Sequence, residues 1–216
     1  MRKFLKSLTD EQLELLKSEV TSEFERRFND DVEIMAIGSI KEAQQFNAQA
    51  RRDEIVEQAK RDAEELKTAR NLLGVRGYPY KDKFVTFADF IVNKDKRTVV
   101  ALLRFQYERE VLSRGIAKCH PNDCFNVHIG KAIALRRALG LDVPDEYLNA
   151  PQPTEVRVGD TVKSKRTGRV CKVIRFCEDV IRDTTWGRPF YTDGVYGWLG
   201  TEQVNVIDDS RDDGEV

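Results

Sequence analysis

The sequence predicts an α+β protein built from three modules, each indicated by its own pattern. Apolar residues recur every three or four positions in residues 1–74, which is typical of a helical hairpin or arm. In residues 75–148, two apolar runs flank a charged turn, and one more strand and a helix follow. Residues 154–209 hold short apolar strands between glycines and polar turns, which favours a small five-stranded β-barrel. Residues 210–216 form an acidic tail.

The first module contains two capping boxes, which begin at Thr9 and Ser39 and mark two helix starts. The first helix is expected to end at Asn29, and the second to continue to about residue 73, where Gly74 supplies a C-cap. Two long helices with a short connection predict an antiparallel hairpin. A coiled-coil dimer arm would use the same apolar seam, so homo-oligomerisation through these helices stays open as an alternative.

The central module is predicted to be a β-hairpin, a third strand and one helix packed on the sheet. The hairpin turns at residues 93–97, the third strand spans 111–119, and the helix spans 126–139 and ends at Gly140. Two prolines, Pro151 and Pro153, exclude a helix from 149–154 and mark a linker to the last module.

Length and composition limit the function classes. The chain has 216 residues, 34% of them charged, with a net charge of -1, and only the central part is basic. This is a weak electrostatic signal for nucleic-acid binding. No apolar run reaches the length of about 20 residues that spans a bilayer, and no secretory signal is evident. Four cysteines do not make a disulfide scaffold in so long a chain. We therefore expect a cytoplasmic protein without membrane contact.

Both histidines and two of the four cysteines lie in one strand–turn–helix segment, 116–141. Cys119, Cys124 and His128 have spacing that three zinc ligands can adopt, but the usual second ligand pair is missing. The same residue types would suit a thiol nucleophile, yet neighbours in sequence rarely form such a site. The favoured interpretation is structural, with Asn122 or Asp123 capping the helix. We expect no metal, no cofactor and no catalytic residue, and an exposed binding corner that includes His120.

Basic and aromatic residues provide a second candidate surface. Lys94, Lys96 and Arg97 lie on the turn of the central hairpin. The last module contributes Arg169, Tyr196 and Trp198, and nearby are further residues that could bind phosphates or stack on bases: Lys163, Lys165, Arg166, Trp186 and Tyr191. Nucleic-acid binding is therefore an alternative, although a basic turn is also an ordinary way to protect an edge strand.

Residues 92–103 (VNKDKRTVVALL), 114–141 and the linker Asn149-Ala150-Pro151-Gln152-Pro153 resemble accessory proteins of tailed phages and prophages of Gram-positive bacteria. This resemblance implies phage provenance and expression inside a bacterium. The last module resembles SH3-like small barrels through VGDTV at 158–162, TGRV at 167–170 and VNVI at 204–207.

Together these observations predict a phage-derived, non-enzymatic binding protein that engages a host or phage macromolecule and inhibits or redirects it, with a host or phage protein as the expected partner. Nucleic-acid binding is the first alternative, and a zinc- or thiol-dependent enzyme is the second. The expected binding residues are His120, Asn122, Asp123, Lys94, Lys96, Arg97, Arg169, Tyr196 and Trp198.

Overall fold

A computed structural model describes residues 10–71, 73–81, 84–105, 110–177, 186–193 and 198–211. Contacts between Cα atoms divide the chain into two units, residues 1–47 and 48–216. The described residues form helices and two antiparallel sheets, which confirms the predicted α+β class. No helix among these described residues is both long enough and apolar enough to cross a membrane.

A single helix, α1 (Asp10–Glu65), replaces the predicted helical hairpin. The segment around Asn29 contains neither glycine nor proline, and an Asn or Asp costs less than about 1 kcal/mol relative to Ala inside a helix. The helix therefore continues through the predicted stop. The first predicted capping residue, Thr9, lies outside the described residues.

Helix α1 also ends earlier than the sequence predicted. Beyond Glu65 the chain forms β1 (Ala69–Arg70), which pairs antiparallel with β2 (Arg76–Tyr80). The Asn71 side chain accepts hydrogen bonds from the backbone N–H groups of Leu73 and Val75 at 2.9 Å each. Gly74, with φ +80°, therefore belongs to this tight turn and does not end a helix.

The first sheet has five strands in the order β1-β2-β3-β4-β5, all antiparallel. The predicted hairpin is present, with its turn between Asn93 and Thr98. The remaining strands are β3 (Phe84–Asn93), β4 (Thr98–Arg104) and β5 (Ser113–Lys118). Val99, Ala101 and Leu103 of β4 are fully buried, which places one face of the sheet in the core.

Helix α2 (Val127–Leu139) packs on this buried face, close to its predicted bounds. Its N-cap is Asn126, whose side chain accepts from the N–H groups of His128 and Ile129, so the predicted caps Asn122 and Asp123 are replaced by a residue about one turn later. Gly140 ends the helix in the left-handed conformation with φ +73°. A short helix, α3 (Asp145–Leu148), follows.

The second sheet has the strand order β10-β6-β7-β8-β9, in which the last strand lies beside the first. Its five strands are β6 (Thr161–Ser164), β7 (Val170–Phe176), β8 (Pro189–Thr192), β9 (Trp198–Gly200) and β10 (Val204–Asp208). A 3-10 turn, Thr201–Gln203, precedes β10. Within the residues that the structure describes, β9 and β10 do not pair, so no closed barrel is formed.

Candidate functional site

Arg97 holds the corner between β5 and α2. Its guanidinium donates to the carbonyl oxygens of Pro121 (2.8 Å) and Asp123, and its Nη2 lies 3.2 Å from the Cys119 Sγ. The backbone N–H of Cys119 donates to the Arg97 carbonyl at 2.9 Å. Arg97 therefore binds the corner of its own chain and does not extend from the hairpin turn as a ligand-binding cation.

The linker holds the same corner through Gln152. The Gln152 side chain accepts from the backbone N–H of Cys124 at 2.7 Å and donates to the Asp123 carboxylate at 3.1 Å. His120 Nδ1 lies 3.4 Å from the backbone nitrogen of Asn122. Asp123 thus has a structural partner, whereas the side chains of His120 and Asn122 lie on the exposed surface.

A buried ion pair lies next to the corner. Arg52 of α1 donates to both carboxylate oxygens of Asp209 at 2.6 and 2.9 Å, and both side chains are almost completely buried. Arg52 also donates to the Pro151 carbonyl at 2.5 Å, and Asn126 donates to Asp209 at 2.9 Å. This network ties α1, the linker, the start of α2 and the end of β10 to one another.

The two cysteines of the corner have environments that favour the protonated thiol. Burial raises the pKa of Cys119, although the nearby Arg97 acts in the opposite direction. Burial also raises the pKa of Cys124 strongly. Because the thiolate is the reactive and metal-binding form, neither environment activates the sulfur. Among the described residues, no group of three His, Cys, Asp or Glu side chains is arranged to hold a metal ion.

A cavity of about 200 Å³ opens beside the corner. Its apolar lining includes Phe125, Ile129 and Ile133, while His120 and Arg137 also line it. Arg137 already donates to the Ile116 carbonyl at 2.5 Å. The cavity is small compared with ordinary ligand pockets of about 300–1,000 Å³.

The second sheet carries a larger depression, which we call the tryptophan groove. Its volume is about 730 Å³. Its lining residues are Ser164, Lys165, Arg166, Thr167, Arg169, Cys171, Trp186, Trp198, Leu199, Glu202 and Gln203. Three cations and one carboxylate therefore surround two indole rings, whose centroids lie 5.8 Å apart at an angle of 45°.

Local backbone geometry builds the basic side of the groove. The turn from Ser164 to Arg169 is closed by hydrogen bonds from the Gly168 N–H to the Ser164 carbonyl and from the Ser164 N–H to the Arg169 carbonyl, both 2.9 Å. Gly168 has φ +70°, which suits glycine. Lys165 Nζ donates to the Glu202 carbonyl at 2.8 Å, which fixes this turn against the 3-10 turn.

Trp186 is positioned by its backbone contact with Gly200. A Cβ atom on Gly200 would lie 1.9 Å from the Trp186 carbonyl oxygen, so only glycine permits this approach. That carbonyl also accepts from the Glu202 N–H at 3.1 Å. The indole ring is thereby presented beside Trp198 while the residue remains 44% exposed.

The structure separates the predicted binding residues into different places. Arg169 and Trp198 meet in the tryptophan groove, and His120, Asn122 and Asp123 meet at the corner. The predicted binding set therefore belongs to two distinct surfaces.

Lys94 and Lys96 line neither the tryptophan groove nor the cavity beside the corner. Lys96 is exposed on the hairpin turn beside Lys94. Tyr196 lies outside the described residues.

Sequence reasoning missed Arg52, Asp209 and Gln152, which hold the corner in place. Side chains that are far apart in the chain leave no local pattern when they pair, so no signal in the sequence pointed to them.

Comparison with protein-family models, with curated proteins and with solved structures finds no match to this chain.

Proposed function

We propose that this chain is a non-enzymatic binding protein whose tryptophan groove binds single-stranded nucleic acid. The observation that carries the proposal is the position of Trp186 and Trp198 beside Lys165, Arg166 and Arg169 in one open groove. Proteins that bind single strands combine cations for the phosphates with aromatic rings on which bases stack. The groove supplies both parts.

The exposure of Trp186 favours a single strand over a duplex. An exposed indole offers a flat face to an unpaired base, whereas the bases of a duplex are already stacked on their neighbours. The cationic turn lines the same groove, where a phosphate backbone can follow it. Glu202 is the one acidic residue among the described residues that line the groove, so the charge of this lining is positive.

The corner at His120 is a weaker candidate. Arg97 and Gln152 are engaged in hydrogen bonds there, and the cysteine environments favour unreactive thiols. These contacts support a structural role for the strand–turn–helix segment and favour the groove as the binding surface.

We further propose that the C-terminal sheet is an SH3-like small barrel and that the protein is of phage origin and acts in the bacterial cytoplasm. The strand order, with β10 beside β6, supports the first point. The resemblance of residues 92–103 and 114–141 to accessory proteins of tailed phages supports the second. A single strand exposed during replication, transcription or repair is the kind of ligand that such a groove would meet there.

Binding of a fluorescent oligo(dT) or oligo(U) by the full chain tests the proposal. We expect Trp186→Ala to weaken binding by about 1–3 kcal/mol, since one stacked base is lost, and Trp186→Phe to retain most of the affinity. A plot of log K against the logarithm of the salt concentration has a slope that reports phosphate contacts. We expect Arg166→Ala to reduce the magnitude of this slope by about 0.7, the value for one phosphate contact on a single strand.

Lys96→Ala is the matched control, because it removes an exposed cation from a turn outside the groove. It should change affinity and salt dependence far less than Arg166→Ala. Absence of oligonucleotide binding at low salt, or equal losses in the Lys96 and Arg166 variants with none in Trp186→Ala, would contradict the proposal.

A further inference from the structure

The first sheet has an open face on the side away from α2. Gly115 and Val99 point toward α2, because a Cβ on Gly115 would lie 1.9 Å from the Ala134 carbonyl and Val99 lies against Gly130. Side chains alternate along a strand, so Val100 and Ile116 point to the opposite side. Ile116 is 46% exposed, which leaves that side open in the described part of the chain.

The register of β3, β4 and β5 arranges this face in rows across the strands. Ile91 pairs with Val100, and Val100 pairs with Ile116, which gives an apolar row with Ile91 55% exposed. In the next row Asp89 pairs with Leu102, and Leu102 pairs with Arg114. We call these two rows the open face. Its centre is apolar, and opposite charges stand at the two ends of its second row.

We propose that a second copy of this chain covers the open face, with a two-fold axis parallel to β4. This symmetry places β3 of one copy over β5 of the other and leaves each row facing the same row. Val100 and Leu102 then meet their own counterparts on the axis. Ile91 of each copy faces Ile116 of the other, so two apolar sheet faces pack as in a β-sandwich.

The charges of the second row favour this partner and orientation, whereas Arg104, on the same face of β4, approaches its own counterpart and is balanced within each chain by Asp89. The same two-fold axis places Asp89 of each copy opposite Arg114 of the other, which creates two intermolecular ion pairs. Within one chain these residues lie on strands separated by β4, and the Asp89 carboxylate lies 3.4 Å from Arg104 Nε. A two-fold axis perpendicular to the strands would reverse the order of the rows in one copy, so Asp89 would no longer face Arg114. Of these two face-to-face arrangements of two copies, the one with this axis parallel to β4 brings opposite charges together.

The decisive experiment uses two charge-reversal variants of the full chain and measures mass by sedimentation and light scattering. Arg114→Asp alone places two carboxylates at each contact, and Asp89→Arg alone places two guanidiniums there. Each variant should dimerise roughly 100-fold more weakly than the natural chain, because like charges that face each other at an interface are strongly unfavourable.

An equimolar mixture of the two variants should recover the dimer. In the mixed dimer, one contact retains the natural pair, with Asp89 from the first variant and Arg114 from the second. The other contact joins the two introduced side chains, an aspartate and an arginine, so opposite charges face each other at both contacts. An effect confined to one chain cannot produce this recovery, so the result separates interface contacts from changes in folding. Circular dichroism of each variant verifies that it folds.

Ile116→Glu should also yield monomer, since it places a carboxylate in the apolar row. Val170→Glu is the control, because Val170 is 53% exposed on β7 of the other sheet and should leave the dimer intact. The proposal is overturned if the natural chain is monomeric up to high micromolar concentration, or if the mixed variants stay monomeric. It is also overturned if the dimer survives Ile116→Glu, in which case another surface, such as α1, carries association.

Discussion

At the scale of single residues, the neighbours Arg51 and Arg52 show how one helical position changes the role of a guanidinium. Arg51 lies on the surface and forms ion pairs with Glu54 and Glu146. Arg52 is buried with Asp209, and its remaining donors reach the carbonyls of Pro151 and Cys124. A buried charge is stable only when its partner and hydrogen bonds are complete.

Arg52→Ala should therefore destabilise the protein by about 3–5 kcal/mol, because Asp209 would remain buried without its cation. Urea unfolding followed by circular dichroism measures this loss. Arg51→Ala is the matched control one position away, and its effect should be small because both of its partners are solvated. Equal losses in the two variants would show that burial does not determine the strength of the Arg52 pair.

At the scale of elements, the strand–turn–helix segment was the most predictable part of the chain. Apolar periodicity and Gly140 predicted the end of α2, and the charged turn predicted the β3–β4 hairpin. The long N-terminal helix was not predicted, because capping motifs inside a helix look the same in sequence as those at its start. The cations and indole rings of the groove were predictable from their residue types. The contact between Trp186 and Trp198 was not, because it depends on backbone contacts that leave no pattern in the sequence.

The contact between β5 and α2 depends on Gly115, and this supports a second stability prediction. Gly115→Ala would place a Cβ 1.9 Å from the Ala134 carbonyl and 2.5 Å from the Ala138 amide nitrogen, both backbone atoms that cannot rotate away. We expect a loss of about 1–3 kcal/mol or more in the free energy of unfolding. Thermal and urea denaturation measure it.

Lys118→Ala is the control for that substitution, because the Lys118 side chain is exposed on the opposite side of the same strand and lies outside the two rows of the open face. Its effect should be minor. If Gly115→Ala is as stable as the natural protein, α2 must be able to move away from β5 at little cost, and the close packing described for this element is wrong.

At the scale of the whole molecule, the second unit, residues 48–216, is held together by ion pairs between distant parts of the chain. Arg52, Asp53 and Asp62 come from the last turns of α1 and pair with Asp209, Arg157 and Arg136. Tyr147 adds a hydrogen bond to Asp62 at 3.3 Å. Folding of this unit therefore depends on ion pairs between residues that are distant in the chain.

This arrangement predicts acid sensitivity. Burial acts to raise the pKa of Asp209, but the hydrogen bonds and charge of Arg52 outweigh it, so the pKa lies below its ordinary value. A carboxyl group with a lowered pKa in the folded state contributes stability that is complete above its unfolded pKa of about 3.9 and is lost as the pH falls through the folded pKa.

Unfolding free energies measured by urea titration from about pH 6 to about pH 2.5 test this expectation. Stability should fall below about pH 4, and Asp209→Asn, although less stable at about pH 6, should lose stability less steeply in that range. The contribution of Asp160 to the pH dependence of stability has the opposite sign. Burial raises the pKa of Asp160, although Arg211 opposes the change. Parallel acid dependence in the natural protein and Asp209→Asn would contradict the assigned role of Asp209.

The Arg52–Asp209 pair also has a consequence for biosynthesis. The two residues are 157 positions apart, so a ribosome adding about 5–20 residues per second makes Asp209 roughly 8–30 s after Arg52. During that interval the cation that will lie at the centre of the unit has no carboxylate to accept its hydrogen bonds. A chain truncated before Asp209 would lack the carboxylate partner of Arg52. Its core would be incompletely packed and therefore more accessible to cellular proteases.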